Sequence, residues 1–210
     1  MGGQKVLEYE VLTIGHSIHA WDGFLAILRS KGVTAIADVR SAPYSRYAPQ
    51  FNRDALAASL QAADIAYVPL GKELGGRPAD QALFSDGVAD YERMAATPRF
   101  AAGLDRIVSG AARYRIAVMC SEQDPLDCHR CLLVGRRLRE RGVNVRHILA
   151  DGTIESHHAI ERQLLAMTRM SDDDLFMDSA QRLSQAYRER SRRVAFVEQA
   201  ATIHESTAAE

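Results

Sequence analysis

Short apolar segments alternate with longer amphipathic segments along most of this sequence, and this alternation restricts the fold more than any other feature. Five segments are short, rich in branched apolar residues and followed by Gly, Pro or polar residues, so we predict strands at 9–14, 33–39, 65–70, 114–119 and 143–149. Helical spacing of apolar residues predicts helices at 21–31, 54–63, 88–96, 98–110 and 126–141. The sequence therefore predicts an α/β fold with a mostly parallel sheet of about five strands, flanked by helices in a Rossmann-like three-layer arrangement.

The last part of the sequence has a different character. A helical pattern runs from Glu155 through Met167, the acidic run 171–174 interrupts it, and a charged helix is predicted from Ser179 to about Gln199. We therefore predict an α/β domain over residues 1–170 and a helical C-terminal extension over residues 171–210 that packs on or flanks the domain.

Composition excludes several classes of protein. The chain has 210 residues, of which 47% are hydrophobic and 25% charged, as in ordinary globular proteins. No apolar run approaches the roughly 20 residues of a membrane span, and the first ten residues lack the order of a secretory signal. The three cysteines lie close together, between positions 120 and 131, which is a poor disulfide framework and suits a reducing compartment. We expect a cytoplasmic protein without a membrane partner.

Polar residues follow the predicted strands at the edge where α/β sheets bind ligands, which is the carboxyl edge. His16 and Ser17 follow the first strand, Asp38 and Arg40 close the second, the glycine-rich loop 71–78 with Arg77 follows the third, and Cys120 and Glu122 follow the fourth. The sequence therefore predicts one convergent site at this edge.

The segment 40–52 is predicted to be a long loop because Pro43 and Pro49 interrupt regular structure. It carries Ser45 and Arg46 among three aromatic residues, Tyr44, Tyr47 and Phe51. Such an arrangement can stack bases while holding backbone phosphates, and it can equally anchor a loop to the core.

Cys128 lies near the predicted start of helix 126–141, after an Asp124–Pro125 pair that is typical of a helix N-terminus. The helix dipole and the neighbouring His129 and Arg130 would favour its thiolate. Alternatively, Cys128 shares a helix face with Leu132 and Leu138 and is a small core residue.

Three interpretations of Cys120 and Cys128 stay open: a reversible disulfide, a nucleophile with a resolving partner, or a metal site completed by Cys131 or His129. The spacing matches no common zinc pattern, so we predict no metal ligand and no cofactor. The nucleotide motifs G-x-G-x-x-G and G-x-x-x-x-G-K-[ST] and a C-x5-R phosphate loop are all missing from the sequence.

Three dispersed motifs together resemble the bacterial domain-of-unknown-function family 488. They are Thr13-Ile-Gly-His-Ser17, Asp38-Val-Arg-Ser-Ala-Pro43 with Ser45-Arg46, and Cys120-Ser-Glu122 leading to Cys128-His-Arg130. The resemblance covers about residues 9–165 and implies a compact α/β fold whose shared residues meet in a cleft, with no activity generally assigned. It implicates His16, Ser17, Asp38, Arg40, Pro43, Ser45, Arg46, Cys120, Glu122, Cys128, His129 and Arg130.

The main functional hypothesis is a thiol-dependent enzyme that acts on an anionic substrate, such as a nucleotide or nucleic acid. Cys120 or Cys128 is its nucleophile or redox thiol, and Glu122 and His16 transfer protons. The expected ligand-binding residues are Ser17, Asp38, Arg40, Ser45, Arg46, Arg77, His129 and Arg130, in which the guanidinium groups bind the anion. The alternatives are a non-catalytic nucleotide-binding or nucleic-acid-binding module and a cysteine redox switch.

Overall fold

The structure is a computed structural model that describes residues 9–170 and 177–198. The strands, in chain order, are β1 (Glu10–Gly15), β2 (Ala35–Asp38), β3 (Ala66–Pro69), β4 (Phe84–Ser85), β5 (Val88–Ala89), β6 (Ile116–Cys120), β7 (Asn144–Ile148) and β8 (Ile154–Ser156). Six of them form one sheet in the order β3-β2-β6-β1-β7-β8, and β4 pairs with β5 in a small antiparallel hairpin. All neighbours in the large sheet are parallel except β7 and β8.

Helices cover both faces of the large sheet. The α-helices are α1 (Trp21–Ser30), α2 (Arg53–Ala62), α3 (Gly71–Leu74), α4 (Tyr91–Ala95), α5 (Pro98–Ala111), α6 (Arg136–Glu140), α7 (His157–Met167) and α8 (Ser179–Val194). Short 3-10 turns span Pro49–Phe51, Gln81–Leu83 and Pro125–Asp127, and a π-helical segment spans Arg130–Gly135.

Alternate residues of each parallel strand enter two separate hydrophobic cores, because successive side chains of a strand point to opposite faces. Ala117 and Met119 of β6 pack with the α1 and α2 side of the sheet. Val118 and Cys120 pack with the side that carries α5, α6, α7 and α8. The predicted three-layer α/β fold with a mostly parallel sheet is therefore confirmed, and the Cys120 side chain belongs to the second face.

Several predicted elements differ from the observed ones. The strand β8 pairs antiparallel with β7 at the sheet edge and was not predicted. The predicted helix 88–96 begins with the strand β5, and α4 starts only after Asp90, whose carboxylate caps it. The predicted loop 71–78 opens with the short helix α3, which buries Leu74 completely.

The predicted helix 126–141 is the most informative difference. It is divided into a 3-10 turn, the π-helical segment and α6, because the backbone of Cys128 is extended at φ −136° and ψ 137°. Asp124 does cap a turn, but that turn ends at Asp127. Cys128 therefore precedes the helical segment instead of lying in its first turn.

The C-terminal helix α8 ends at Val194, earlier than predicted, and residues 196–198 pair with the hairpin. The acidic run 171–174 and Gln199 lie outside the described residues, and so do the first eight residues. The division of the chain at residue 170 stays a prediction. None of the helices in the described part of the chain has the length and apolar character that a membrane span requires.

Candidate functional site

The strand order brings the candidate residues together at the carboxyl edge. β6 lies between β2 and β1, so that Gly15 is level with Cys120 and Asp38 is level with Met119. The chain leaves β1 towards α1 on one face of the sheet and leaves the adjacent β6 towards α6 on the other face, which is the arrangement that opens a crevice in α/β sheets. His16 continues the ladder by donating its backbone N–H to the Cys120 carbonyl at 2.9 Å.

Gly15 lets the segment after β6 cross over the end of β1. A Cβ atom at this position would lie 1.9 Å from the carbonyl oxygen of Glu122, a distance that no side chain tolerates. The missing side chain therefore allows the backbone of Glu122 to sit directly on the sheet edge, next to Cys120.

Four side chains form what we call the thiol cluster: Cys120, Glu122, Cys128 and His129. Their ligand-type atoms all lie within 4.8 Å of one another. The Cys128 Sγ is 2.9 Å from the Glu122 Oε2, and the His129 Nδ1 is 3.7 Å from the Cys120 Sγ and 3.9 Å from the Cys128 Sγ. Both thiols are almost fully buried, whereas Glu122 is exposed. The extended backbone at Cys128 permits this convergence.

The ring of His129 has a fixed orientation. Its Nε2 lies 3.0 Å from the carbonyl oxygen of Val39, which can only accept, so Nε2 carries a hydrogen and Nδ1 faces the two sulfurs. Gly76 packs against the ring, and a Cβ there would lie 2.8 Å from the His129 Cγ. Nδ1 is therefore the position that exchanges a proton or donates a lone pair.

Arg130 places a positive charge below the thiols. Its guanidinium is completely buried and donates to the carbonyl oxygens of Glu122 at 2.6 Å and Gln123 at 2.8 Å. Within residues 9–170 and 177–198 it forms no ion pair with a carboxylate. Its backbone N–H also points at the Cys128 Sγ, 3.4 Å away. Because a buried charge without a counter-charge is costly, this arginine favours negative charge on the sulfurs.

The ionisable groups of the thiol cluster influence one another. Burial raises the pKa of the Cys120 thiol well above its ordinary value, and the hydrogen bond with Cys128 raises it further. Burial alone would also raise the pKa of Cys128, but the hydrogen bond from Cys120, the charge of Arg130 and the contact with His129 lower it well below its ordinary value. Although Glu122 as a whole is exposed, its carboxylate is partly desolvated where it meets the buried Cys128, and this desolvation together with the nearby Cys128 raises its pKa. Of the two thiols, Cys128 is therefore the one whose surroundings favour the thiolate.

His129 responds in the opposite direction to the other buried histidines. Burial would lower its pKa, but the hydrogen bond with Cys128 and the charges of Cys128 and Glu122 raise it. The arrangement supports a thiolate–imidazolium pair between Cys128 and His129.

His16 and Arg40 form a second group beside the thiol cluster. Arg40 makes a bidentate ion pair with Asp38, at 2.9 and 2.7 Å, and Tyr67 donates to the same carboxylate at 2.8 Å. The His16 Nδ1 donates to the Ser17 carbonyl at 2.9 Å, and its Nε2 lies 3.1 Å from a guanidinium nitrogen of Arg40. Burial and the Arg40 charge lower the pKa of His16 to about 4. Both of its nitrogens are engaged, so its catalytic role stays a prediction.

A cleft of about 140 Å³ opens beside the thiol cluster. Cys120, Glu122 and His129 line one side of it, and Arg40 and Arg77 contribute to its walls. Cys128 lies behind this lining. The C-terminal segment adds Val194 and Phe196, and the Arg77 guanidinium stacks over the Phe196 ring at 5.2 Å. The helical end of the chain thus contributes to the site, which sequence motifs alone do not reveal.

Five predicted ligand-binding residues do not line this cleft: Asp38 and Arg130, which are buried, and Ser17, Ser45 and Arg46. Ser45 is engaged within its own loop, where its hydroxyl accepts from the Tyr47 backbone at 3.1 Å. Arg46 is exposed and stacks on the Tyr47 ring at 4.8 Å. Ser17 donates to the Gln123 side chain at 3.3 Å. The binding roles of all five stay predictions.

Sequence reasoning missed a second buried group, which we call the histidine chain: Thr13, His147, His157, Tyr187 and Glu161. Consecutive members are joined by hydrogen bonds of 2.8, 2.9, 2.9 and 3.1 Å, and Glu161 also pairs with Arg139. The Sγ of Cys131 lies 3.9 Å from the His147 Nε2, so Cys131 belongs here and not to the thiol cluster. In the sequence, the histidine chain could have been found from His147, a polar residue at an inward-facing position of a predicted strand.

Comparison with protein-family models confirms the family resemblance, and the match includes the second and third of the three motifs. A family model described as "Domain of unknown function DUF488" matches residues 20–136, which include Asp38, Arg40 and the whole thiol cluster. No curated protein and no solved structure matched the chain. The matched region covers more than half of the 210 residues, and the chain therefore belongs to the DUF488 family of domains of unknown function.

Proposed function

We propose that this protein is a thiol-dependent enzyme that acts on an anionic substrate in the cleft beside the thiol cluster. One observation carries the proposal: two buried thiols, an imidazole and a carboxylate converge where the cleft walls present the guanidinium groups of Arg40 and Arg77. Reactive groups and anion-binding groups in one concave site are the combination expected of an active site.

The roles follow from position. Cys120 borders the cleft and Cys128 lies behind it, so Cys120 is the thiol nearer to the substrate. The Glu122 carboxylate is exposed and adjacent to the Cys128 thiol, where it can exchange protons with substrate. Arg77 has no carboxylate within ion-pair distance among the described residues, whereas Arg40 is neutralised by Asp38. Arg77 is thus the arginine available to an incoming anion.

A non-catalytic nucleic-acid-binding module has weaker support. The residues that suggested it, Arg46 and its aromatic neighbours Tyr44 and Tyr47, lie in an exposed loop and do not line the cleft. We also propose a cytoplasmic location, because all three cysteines are free thiols.

Protection of Cys120 from alkylation tests the proposal. Because burial raises the pKa of Cys120, the full chain is incubated with iodoacetamide in alkaline, chelator-containing buffer. Phosphate, pyrophosphate or a nucleoside monophosphate is added, and the labelled cysteines are identified by mass spectrometry. We expect at least one of these anions to slow labelling of Cys120 severalfold in the wild type and in Arg46→Ala, but not in Arg77→Ala. Equal labelling with and without every anion, or protection that depends on Arg46 and not on Arg77, would contradict a substrate site in the cleft.

A further inference from the structure

The thiol cluster also has the composition and the dimensions of a metal site. Two sulfurs, one imidazole nitrogen and one carboxylate oxygen lie within 4.8 Å of one another. Zn–S and Zn–N bonds of about 2.3 and 2.0 Å place tetrahedral S and N ligands about 3.6 Å apart. The two distances from the His129 Nδ1 to the sulfurs, 3.7 and 3.9 Å, are close to this value.

We infer that Cys120, Cys128, His129 and Glu122 bind one divalent zinc ion at the edge of the cleft. The inference rests on the proposed function only for the claim that the metal borders a substrate site, and with zinc bound the two thiols act as metal ligands and not as free nucleophiles. Two thiolates with an imidazole favour zinc over the hard cations magnesium and calcium, which prefer oxygen ligands.

The groups around the thiol cluster match those that support metal ligands. The His129 Nε2 donates to the Val39 carbonyl, which orients the ring and leaves Nδ1 directed at the metal position. The backbone N–H of Arg130 donates to the Cys128 Sγ, as expected for a ligating thiolate. These contacts exist before any metal is considered, so the ligands are already oriented.

Charge gives an independent argument. Two thiolates and the Glu122 carboxylate would place three negative charges within a few ångströms of one another. A divalent cation leaves one net negative charge. The buried guanidinium of Arg130 balances that charge, because Arg130 has no carboxylate partner among the described residues. The site is thus close to neutral when zinc is bound, which is the condition that a buried group of charges requires.

The other group of metal-type residues, Cys131, His147 and His157, lacks these properties. Every ring nitrogen of the two histidines has a hydrogen-bond partner at 2.8 or 2.9 Å, including the bond between the rings. No lone pair points to a common vacant position there. Cys131 therefore provides the matched control, as a buried thiol near histidine that should not bind zinc.

Glu122 is the one exposed ligand, and it lies on the cleft side. A carboxylate in this position can give way to a substrate oxygen, whereas the three buried ligands hold the ion. Such a site resembles catalytic zinc centres, which keep one exchangeable position, more than closed structural ones.

Titration of the full-length protein with cobalt and then zinc, after treatment with chelator and reductant, tests the inference. We expect one Co²⁺ per chain, with the visible absorption of tetrahedral cobalt and a sulfur-to-cobalt charge-transfer band, both abolished by one equivalent of Zn²⁺. Cys128→Ser should weaken binding by at least about 100-fold, and Glu122→Gln by about tenfold with the charge-transfer band kept. Cys131→Ala should leave the spectrum unchanged.

The inference is overturned if the wild type gives no charge-transfer band, or if Cys120→Ser with Cys128→Ser keeps it. Loss of the band in Cys131→Ala while Cys128→Ser retains it would also overturn it. Glu122→Gln changes an exposed side chain, so its result does not depend on whether a buried serine is tolerated. If cobalt does not bind but anions still protect Cys120, the metal inference fails and the proposed enzyme stands. If cobalt binds but no anion protects Cys120, the metal inference stands and the proposed enzyme fails.

Discussion

The thiol cluster and the histidine chain both contain buried cysteine or histidine side chains, but they differ in the hydrogen-bond partners of their imidazole nitrogens. In the histidine chain every ring nitrogen meets a neighbour at 2.8 or 2.9 Å, and the chain closes on the Glu161–Arg139 ion pair. In the thiol cluster the His129 Nδ1 faces only two sulfurs at 3.7 and 3.9 Å, beside a cleft. Burial of histidine and cysteine therefore does not mark a candidate functional site, whereas an imidazole nitrogen that faces only thiols beside a cleft does.

The sharpest test of this difference is the loss of one imidazole from the histidine chain. His157→Ala removes the partners of His147 and Tyr187 and leaves a cavity, so we expect the free energy of unfolding to fall by about 3 kcal/mol. Chemical denaturation measures it. Glu122→Gln, a change in the exposed part of the thiol cluster, should stay within about 0.5 kcal/mol of the wild type. Equal effects of the two changes would remove the distinction between the two regions.

Acid should affect the histidine chain next most strongly. Burial and the nearby Arg139 lower the pKa of His157 to about 3, and burial, His157 and Arg130 lower the pKa of His147 well below its ordinary value. The unfolded chain then binds more protons than the folded one, so stability is complete above the unfolded pKa of about 6.5 and falls as the pH drops below it.

Between pH 7 and pH 5 this amounts to about 2 kcal/mol from His157 alone. The groups that face the two rings are Thr13, Cys131, Tyr187 and Glu161, with Arg139 beyond the carboxylate. Denaturation of the wild type and of His157→Gln at both pH values measures the effect, and the variant should lose less stability on acidification. An identical loss in both proteins would show that His157 does not bind the proton.

These results relate to what the sequence could predict. The five parallel strands and the carboxyl-edge site were predictable, because apolar runs and strand ends are local features and the parallel edge rule is general. The extended backbone at Cys128 was not predictable from the sequence, because the helical spacing of apolar residues in 126–141 continues through this position. Only the contact between Cys128 and Glu122 in the folded chain accounts for the interruption of the helix. The histidine chain escaped because its members are far apart in sequence, and a periodic reading assigns polar residues to solvent.

The contact between Gly76 and His129 also joins residues that are far apart in sequence. A substitution at Gly76 is expected to have the smallest effect of those considered. In Gly76→Ala the new methyl group would meet the His129 ring at 2.8 Å and must displace it from Val39. We expect a stability loss of about 1 kcal/mol and a cobalt affinity about tenfold lower. Gly23→Ala is the matched control, because nothing lies within 4 Å of its Cβ position, and it should stabilise α1 by roughly 0.5 kcal/mol. Unchanged cobalt affinity in Gly76→Ala would show that the His129 orientation does not matter.

The position of Val194 and Phe196 near the end of the chain affects the order in which the cleft can form during synthesis. Phe196 accepts the backbone N–H of Ala89, and Glu198 donates to the Gly87 carbonyl, so the segment is tied to the hairpin at 2.9 Å in both bonds. The thiols are synthesised about seventy residues earlier than this wall. During translation the sheet and the thiol cluster can assemble while the cleft still lacks one side, and the pocket acquires its final shape only after residue 198 has left the ribosome.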